Sequence, residues 1–244
     1  MGCNPKNDDE LRIIMATKPF QTQTVPANQT LVEDRLKPTA ELHVLVGGPY
    51  TLNGEEHRYG HTALRIKNSS TDTTYDFGRY GRVTGDFGAE GEGILRVWSS
   101  FNIYIAGENA LARTTTGFVY AIFEDQFKSV VDHYSALIAG AKPRLELQRD
   151  RSTLKVYQLP TNYRALGYNC TTLSLDGALT VFPSFEAGSI GFIKPDAVLT
   201  FSERMAMRTV GGGTPTRLFL PANLQEFLST KPAVKPTRVD RYGG

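Results

Sequence analysis

Cys170 stands in the run Gly167-Tyr168-Asn169-Cys170-Thr171-Thr172, directly after a good helix-capping residue and directly before a helix-like stretch. A thiolate forms readily there, because the unpaired N–H groups and positive dipole end of a helix N-terminus favour negative charge and lower a thiol pKa. Upstream, Gly60-His61-Thr62-Ala63-Leu64 opens a strand-like run, and Thr74-Tyr75-Asp76-Phe77-Gly78 lies in the next. His61 would serve Cys170 as base, and Asp76, if the two strands pair, would hold the imidazole tautomer. These residues sketch a Cys–His–Asp hydrolase or acyltransferase in which the histidine precedes the cysteine. Backbone N–H groups at Cys170 would bind an oxyanion, and Tyr75, Tyr80 and Asn169 are further candidates for contacting substrate or oxyanion.

Each residue also has a plainer reading. Free cysteine packs as a small hydrophobe, so Cys170 competes with a structural thiol. Against that, Thr171 and Thr172 are polar and the apolar face of the helix begins only at Leu173. Asp76 competes with a turn-capping aspartate ahead of Gly78. His61 has three rivals: His43 inside an apolar strand, His57 in the charged run Glu55-Glu56-His57-Arg58, and His133 on a polar helix face. His57 and His61 share the i, i+4 spacing of a zinc pair, but Gly60 interrupts any helix and no third ligand cluster stands out. No metal and no cofactor are expected. Gly211-Gly212-Gly213-Thr214 lacks the Gly-Lys-Ser/Thr of a phosphate loop, the glycine-rich stretch 85–93 carries acidic residues that would repel phosphate, and no Gly-x-Ser-x-Gly elbow occurs.

The elements that must position these groups read as an α+β domain. Strand-like runs cover residues 41–46, 61–66, 73–77, 94–105 (with a break near Ser99-Ser100), 118–123 and 154–159. A helix is expected from Phe123, Phe127, Val130, Val131, Tyr134, Leu137 and Ile138, ended by Gly140 and Pro143. Further helices are expected over residues 171–181 and, after Pro221, over 222–228. More strands than helices, without βαβ alternation, point to an antiparallel sheet. The expected organisation is a flexible leader over residues 1–38, a catalytic domain over 39–230 and a tail over 231–244.

At 244 residues and 40% hydrophobic content the chain can bury a substantial core, and its net charge of +2 gives no electrostatic case for nucleic acid. Two cysteines do not make a disulfide scaffold. The N-terminal residues lack the apolar core of a secretion signal, Lys6 breaks the myristoylation pattern after Gly2, and no segment reaches the length of a membrane span. Synthesis in the cytoplasm, with no stable membrane insertion, is the expectation.

Gly60-His61-Thr62-Ala63-Leu64-Arg65-Ile66, Tyr75-Asp76-Phe77-Gly78 and Tyr168-Asn169-Cys170-Thr171-Thr172, with Asp176 beyond, resemble the circularly permuted papain-like cysteine peptidases and amidases, in particular the NlpC-like branch. Leu220-Pro221-Ala222-Asn223-Leu224 is similar to the Pro-capped helix that closes such domains. The resemblance implies an antiparallel sheet packed against the helix that bears the nucleophile, with Cys170 as nucleophile, His61 as base and Asp76 as third residue. It implies cleavage of an amide bond in peptidoglycan stem peptides. Relatives also include lipid acyltransferases and proteases acting on ubiquitin-like modifiers. A leaderless domain of this kind resembles antibacterial effectors that type VI secretion machinery delivers into a rival's periplasm, each countered by an immunity protein. Two other readings stay open: a lipid-directed acyltransferase or thioesterase, whose acyl groove would draw on residues 182–185, and an inactive papain-like binding module.

Overall fold

The computed structural model describes residues 37–52, 55–84, 90–149, 151–209 and 215–243. The leader expected over residues 1–38 lies, apart from Lys37 and Pro38, outside the described residues, as does the Gly211–Gly213 run. Residues 38–244 form one compact unit.

Eight strands build the main sheet: β1 (Ala40–Gly47), β2 (His61–Lys67), β3 (Asp72–Gly78), β4 (Ile94–Trp98), β5 (Thr115–Ile122), β6 (Lys142–Pro143), β7 (Leu154–Gln158) and β8 (Arg238–Tyr242). Their order is β6-β7-β4-β3-β2-β1-β5-β8, and every pairing is antiparallel. The helices are α1 (Phe101–Ala110), α2 (Glu124–Ala139), α3 (Cys170–Leu179), α4 (Phe201–Thr209) and α5 (Pro221–Thr230). The molecule is therefore a mixed α+β domain around an antiparallel sheet, as the strand-rich pattern predicts.

Period-two alternation splits each central strand between two faces. Leu42, Val44 and Val46 of β1, Leu64 and Ile66 of β2, and Tyr75 and Phe77 of β3 face the larger core, shared with Phe127, Val130 and Tyr134 of α2 and with Leu173, Leu175 and Ala178 of α3. Tyr75 stacks on Tyr134 with ring centroids 3.7 Å apart, a pairing that contributes about 0.5–1.5 kcal/mol beyond its burial. The opposite face carries Leu45, Ala63, Ile94 and Trp98 under Phe101, Tyr104 and Ile105 of α1. Helix α3 is buried nearly all round. It lies close to the sheet because position 177 is glycine, where a Cβ would stand 2.7 Å from the Leu64 side chain.

Two expectations are corrected. Beyond the break at Ser99-Ser100, residues 101–105 are not strand: β4 stops at Trp98 and α1 begins at Phe101, with Phe101, Tyr104, Ile105 and Glu108 buried at helical spacing. Residues 231–244 are not merely a tail, since Arg238–Tyr242 pairs with β5 as the outer strand of the sheet. There Arg238 reaches across β5 to Glu41, 2.9 Å from Nη2 to Oε2.

Candidate active site

The thiol is set by a local cap. Asn169 is extended, its Oδ1 accepts from the Thr171 and Thr172 N–H groups (2.9 and 3.1 Å), and its own N–H donates to Thr172 Oγ1 at 2.8 Å. This reciprocal box satisfies the first turn of α3 and leaves Cys170 as its first residue, at the positive end of the helix. Asn169 Nδ2 donates to the carbonyls of Ala165 (2.8 Å) and Phe219 (2.9 Å). With every polar atom engaged, Asn169 is a structural cap and has no donor left for an oxyanion.

His61 is the first residue of β2, entered through Gly60, whose φ of +71° belongs to the left-handed region. Register places Ala63 opposite Asp76, so His61 and Asp76 lie diagonally on the same sheet face. His61 Nε2 stands 2.6 Å from Asp76 Oδ1. Asp76 is fully buried, at 0% exposure, and as an ionised carboxylate it only accepts, so Nε2 carries the proton. The nitrogen left to exchange a proton with the Cys170 thiol, whose sulfur helps raise the imidazole, is Nδ1.

Asp76 is itself clamped. Arg96 sits opposite it on β4, and Arg96 Nε and Nη2 both donate to Oδ2, the first at 2.8 Å. Tyr80 donates to Oδ1 at 3.0 Å while its ring lies 3.6 Å from the Arg96 guanidinium. Tyr80 reaches this position because residue 78 is glycine, whose missing Cβ would stand 2.5 Å from the Tyr80 ring.

Electrostatics follow from this order. Burial pushes the Asp76 carboxyl up, but the Arg96 guanidinium and then His61 hold it well below the usual carboxylate range. Burial would deprotonate His61, yet the Asp76 carboxylate and the Cys170 sulfur outweigh it and raise the imidazole. Burial likewise opposes a Cys170 thiolate. The His61 charge and hydrogen bond, the Thr62 backbone N–H and the Tyr163 hydroxyl overcome it, and the thiol is lowered. Both shifts favour a thiolate–imidazolium pair over the neutral pair. Tyr163 Oη lies 4.0 Å from Cys170 Sγ and receives the Cys170 backbone N–H. Its phenol is held far above its ordinary value by burial and by the neighbouring sulfur, so it stays a donor.

No family model, curated protein or solved structure matches this chain.

The structure thus brings together Cys170, His61 and Asp76, the residues singled out by type and spacing. The other candidates part ways. Tyr75 points to the opposite face and belongs to the Tyr134 stack, which removes it from the site. Tyr80 lines the cleft, but its proton is committed to Asp76, so it orients the acid and is no oxyanion donor. His43 is buried with Nε2 2.9 Å from Glu41 Oε2, and burial drives it down to about 4. His133 packs edge-on against Tyr134. Asp176 pairs with Arg217 at 2.7 Å, away from the thiol chemistry. Among the described residues no cluster of three His, Cys, Asp or Glu side chains is arranged to hold a metal ion.

Arg96 and Tyr163 were not visible in the sequence reading. Arg96 had a signal, a lone cation in the apolar run Ile94-Leu95-Arg96-Val97-Trp98; Tyr163, in a short loop strand, had none. A cleft of about 1200 Å³ runs past the thiol and is walled by Tyr59, Tyr80, Tyr163, Leu199, Glu203 and Phe219, among others. Glu203 of α4 accepts from Arg58 at 2.7 Å and from Tyr59, which ties that wall to the turn before His61.

Proposed function

We infer that the protein is a cysteine hydrolase of the permuted papain-like, NlpC-type class that cleaves an amide bond in the stem peptides of peptidoglycan. The observation that carries this reading is the grouping of Cys170, at a helix N-terminus on the cleft, with a His61 that is hydrogen-bonded to the buried Asp76 at 2.6 Å and electrostatically linked to the sulfur. In this reading the Cys170 thiolate attacks the scissile carbonyl carbon and the carbonyl π electrons move to oxygen. As charge builds on that oxygen it replaces Tyr163 Oη as acceptor of the Cys170 backbone N–H, and the Tyr163 hydroxyl, released from a sulfur that is no longer a thiolate, donates to it as well; donors of this kind contribute about 3 kcal/mol each. His61 then passes its Nδ1 proton to the leaving nitrogen as the C–N bond breaks. Water attacks the resulting thioester, its proton goes to His61, and the C–S bond breaks to restore the thiolate.

An antibacterial role, with delivery into a rival's periplasm and an immunity protein that closes the cleft, belongs to the same reading. No helix among the described residues is long and apolar enough to cross a membrane. The acyl-groove candidate at residues 182–185 is used otherwise, for Phe182 and Phe185 pack on Tyr120 at centroid distances of 5.5 and 5.3 Å. An inactive module would have no need of a thiol lowered against its own burial.

The test is digestion of purified peptidoglycan by the native protein and by Cys170→Ala, with released fragments read by mass spectrometry. A defined stem-peptide fragment from the native protein alone is the expected result. Equal release by both would remove Cys170 as the nucleophile, and none by the native protein while Cys170 is rapidly alkylated would remove this substrate.

A further inference from the structure

Arg79 follows Gly78 at the end of β3, directly beyond the catalytic strand, and lines the same cleft as Cys170. Its stem lies on a small three-stranded flap formed by Val83–Thr84, Glu90–Gly91 and Tyr163–Arg164. The support is close: a Cβ at Gly91 would stand 2.7 Å from Arg79 Cγ, so only glycine there lets the arginine lie down on the strand. Its charge acts on the Tyr163 hydroxyl, the group that touches Cys170 Sγ.

Arginines near carboxylates normally pair with them, and the flap has carboxylates to offer. Each is taken. Glu90 stands 3.6 Å from Arg164, and Glu92 accepts from Arg144 at 2.9 Å. Elsewhere on the cleft, Glu203 is bound by Arg58, Glu108 by Arg113, and Asp76 by Arg96. Among the described residues Arg79 has neither an ion pair nor a side-chain hydrogen bond; Arg151, the other unpaired guanidinium lining the cleft, lies over Trp98 at 6.0 Å. A planar fork of five donors, fixed at its stem and left unpaired in the cleft that Cys170 lines, matches a carboxylate of the molecule that enters.

We propose that Arg79 is a carboxylate-binding residue of the substrate site, and that the preferred substrate is an acidic peptide with a free carboxylate next to the scissile carbonyl. This rests on the hydrolase reading above for its substrate, though the anion site itself does not depend on which bond is cut. The uncharged wall of Tyr163 and Phe219 would accept the rest of the residue, so that Arg79 distinguishes an acidic neighbour from an amidated one.

The experiment compares alkylation of Cys170 by iodoacetate and iodoacetamide in the full chain. Both form the same C–S bond with loss of iodide and need the same access; they differ in one negative charge. The iodoacetate-to-iodoacetamide rate ratio should fall about three- to tenfold in Arg79→Gln, a size expected of one partly screened charge within the same cleft. It should fall further in Arg79→Glu and return most of the way in Arg79→Lys. A ratio that is the same in all four proteins would overturn the proposal, since a purely structural arginine changes both rates together. In parallel, synthetic stem peptides carrying a carboxylate or a carboxamide beside the scissile bond are compared. The native protein should show a higher KM for the carboxamide, and Arg79→Gln should show equal KM values. Charge selectivity without cleavage of either peptide would leave the anion site standing and count against the peptidase reading. Cleavage without charge selectivity would do the reverse.

Discussion

Replacing Arg96 with methionine keeps the length of the buried stem and removes the fork that faces Asp76. Oδ2 then loses both of its donors, and a carboxylate with no exposure to water is left with partners on Oδ1 only. Hydrogen bonds to a charged group contribute about 1.5–3 kcal/mol each, and deleting one member of a buried ion pair costs about 3–5 kcal/mol. Because methionine refills the volume, most of that loss is electrostatic, and Arg96→Met should be destabilised by about 3–4 kcal/mol at neutral pH. Asp76→Asn should cost less, about 2 kcal/mol, because the Arg96 side chain is 22% exposed and can recover water. The asparagine also cannot serve both neighbours. One orientation sets its NH₂ against the Arg96 donors and the other sets it against His61 Nε2–H. Activity should therefore fall about 10²- to 10⁴-fold, as expected when an imidazole loses its fixed tautomer. Urea unfolding of the native protein, both single variants and the double variant gives the coupling directly, which should be about 2 kcal/mol. A cost below about 1 kcal/mol for Arg96→Met, or additive single effects, would refute the clamp.

The thiol offers a test by pH. Iodoacetamide reacts with the thiolate, so in the native protein the rate should hold as pH falls below the ordinary thiol range and drop only at the lowered Cys170 pKa. In His61→Ala the burial remains while the cation is gone. The thiol should then titrate above its usual value, and the rate at pH 7 should drop by at least about tenfold; overlapping profiles for the two proteins would end the ion-pair argument. Asn169→Ala strips the cap of α3 and orphans two buried carbonyls. A loss of about 2–3 kcal/mol in urea unfolding is expected, and a loss under about 0.5 kcal/mol would mean that the helix start is held by something else.

Why some of this was legible and some was not can be read from single residues. His61, Asp76 and Cys170 carry local signals: a glycine before a strand, an acid on the next strand, a cap before a helix. Those signals survive folding because capping and pleat are short-range. Tyr75 should have been set aside at once, for a strand turns adjacent residues to opposite faces, and Asp76 and Tyr75 cannot both enter one site. The run from Phe101 was read as strand because Ile103, Tyr104 and Ile105 favour strands, although the 101, 104, 105, 108 spacing of its buried residues is helical. The Arg238–Tyr242 strand was hidden for a different reason. It depends on the free edge of β5, more than a hundred residues away in the chain, and nothing in its own charged composition announces a partner. Arg96 and Tyr163 fall in the same class, since their roles exist only once strand register and loop packing are fixed.

The clamp on Asp76 has one further consequence, for the arithmetic of charge within the site. In the proposed resting state the buried series reads Arg96 positive, Asp76 negative, His61 positive, Cys170 negative, and sums to zero. In the tetrahedral intermediate of the proposed reaction the negative charge sits on the substrate oxygen instead of sulfur, and the sum is unchanged. In the thioester both the sulfur and the imidazole are neutral, and the sum is again zero. Without the guanidinium each of these states would hold a net negative charge around a fully buried carboxylate, where such a charge is costly. Arg96 therefore keeps the interior electrically balanced at every stage, so that turnover relocates charge within the site and never has to import it.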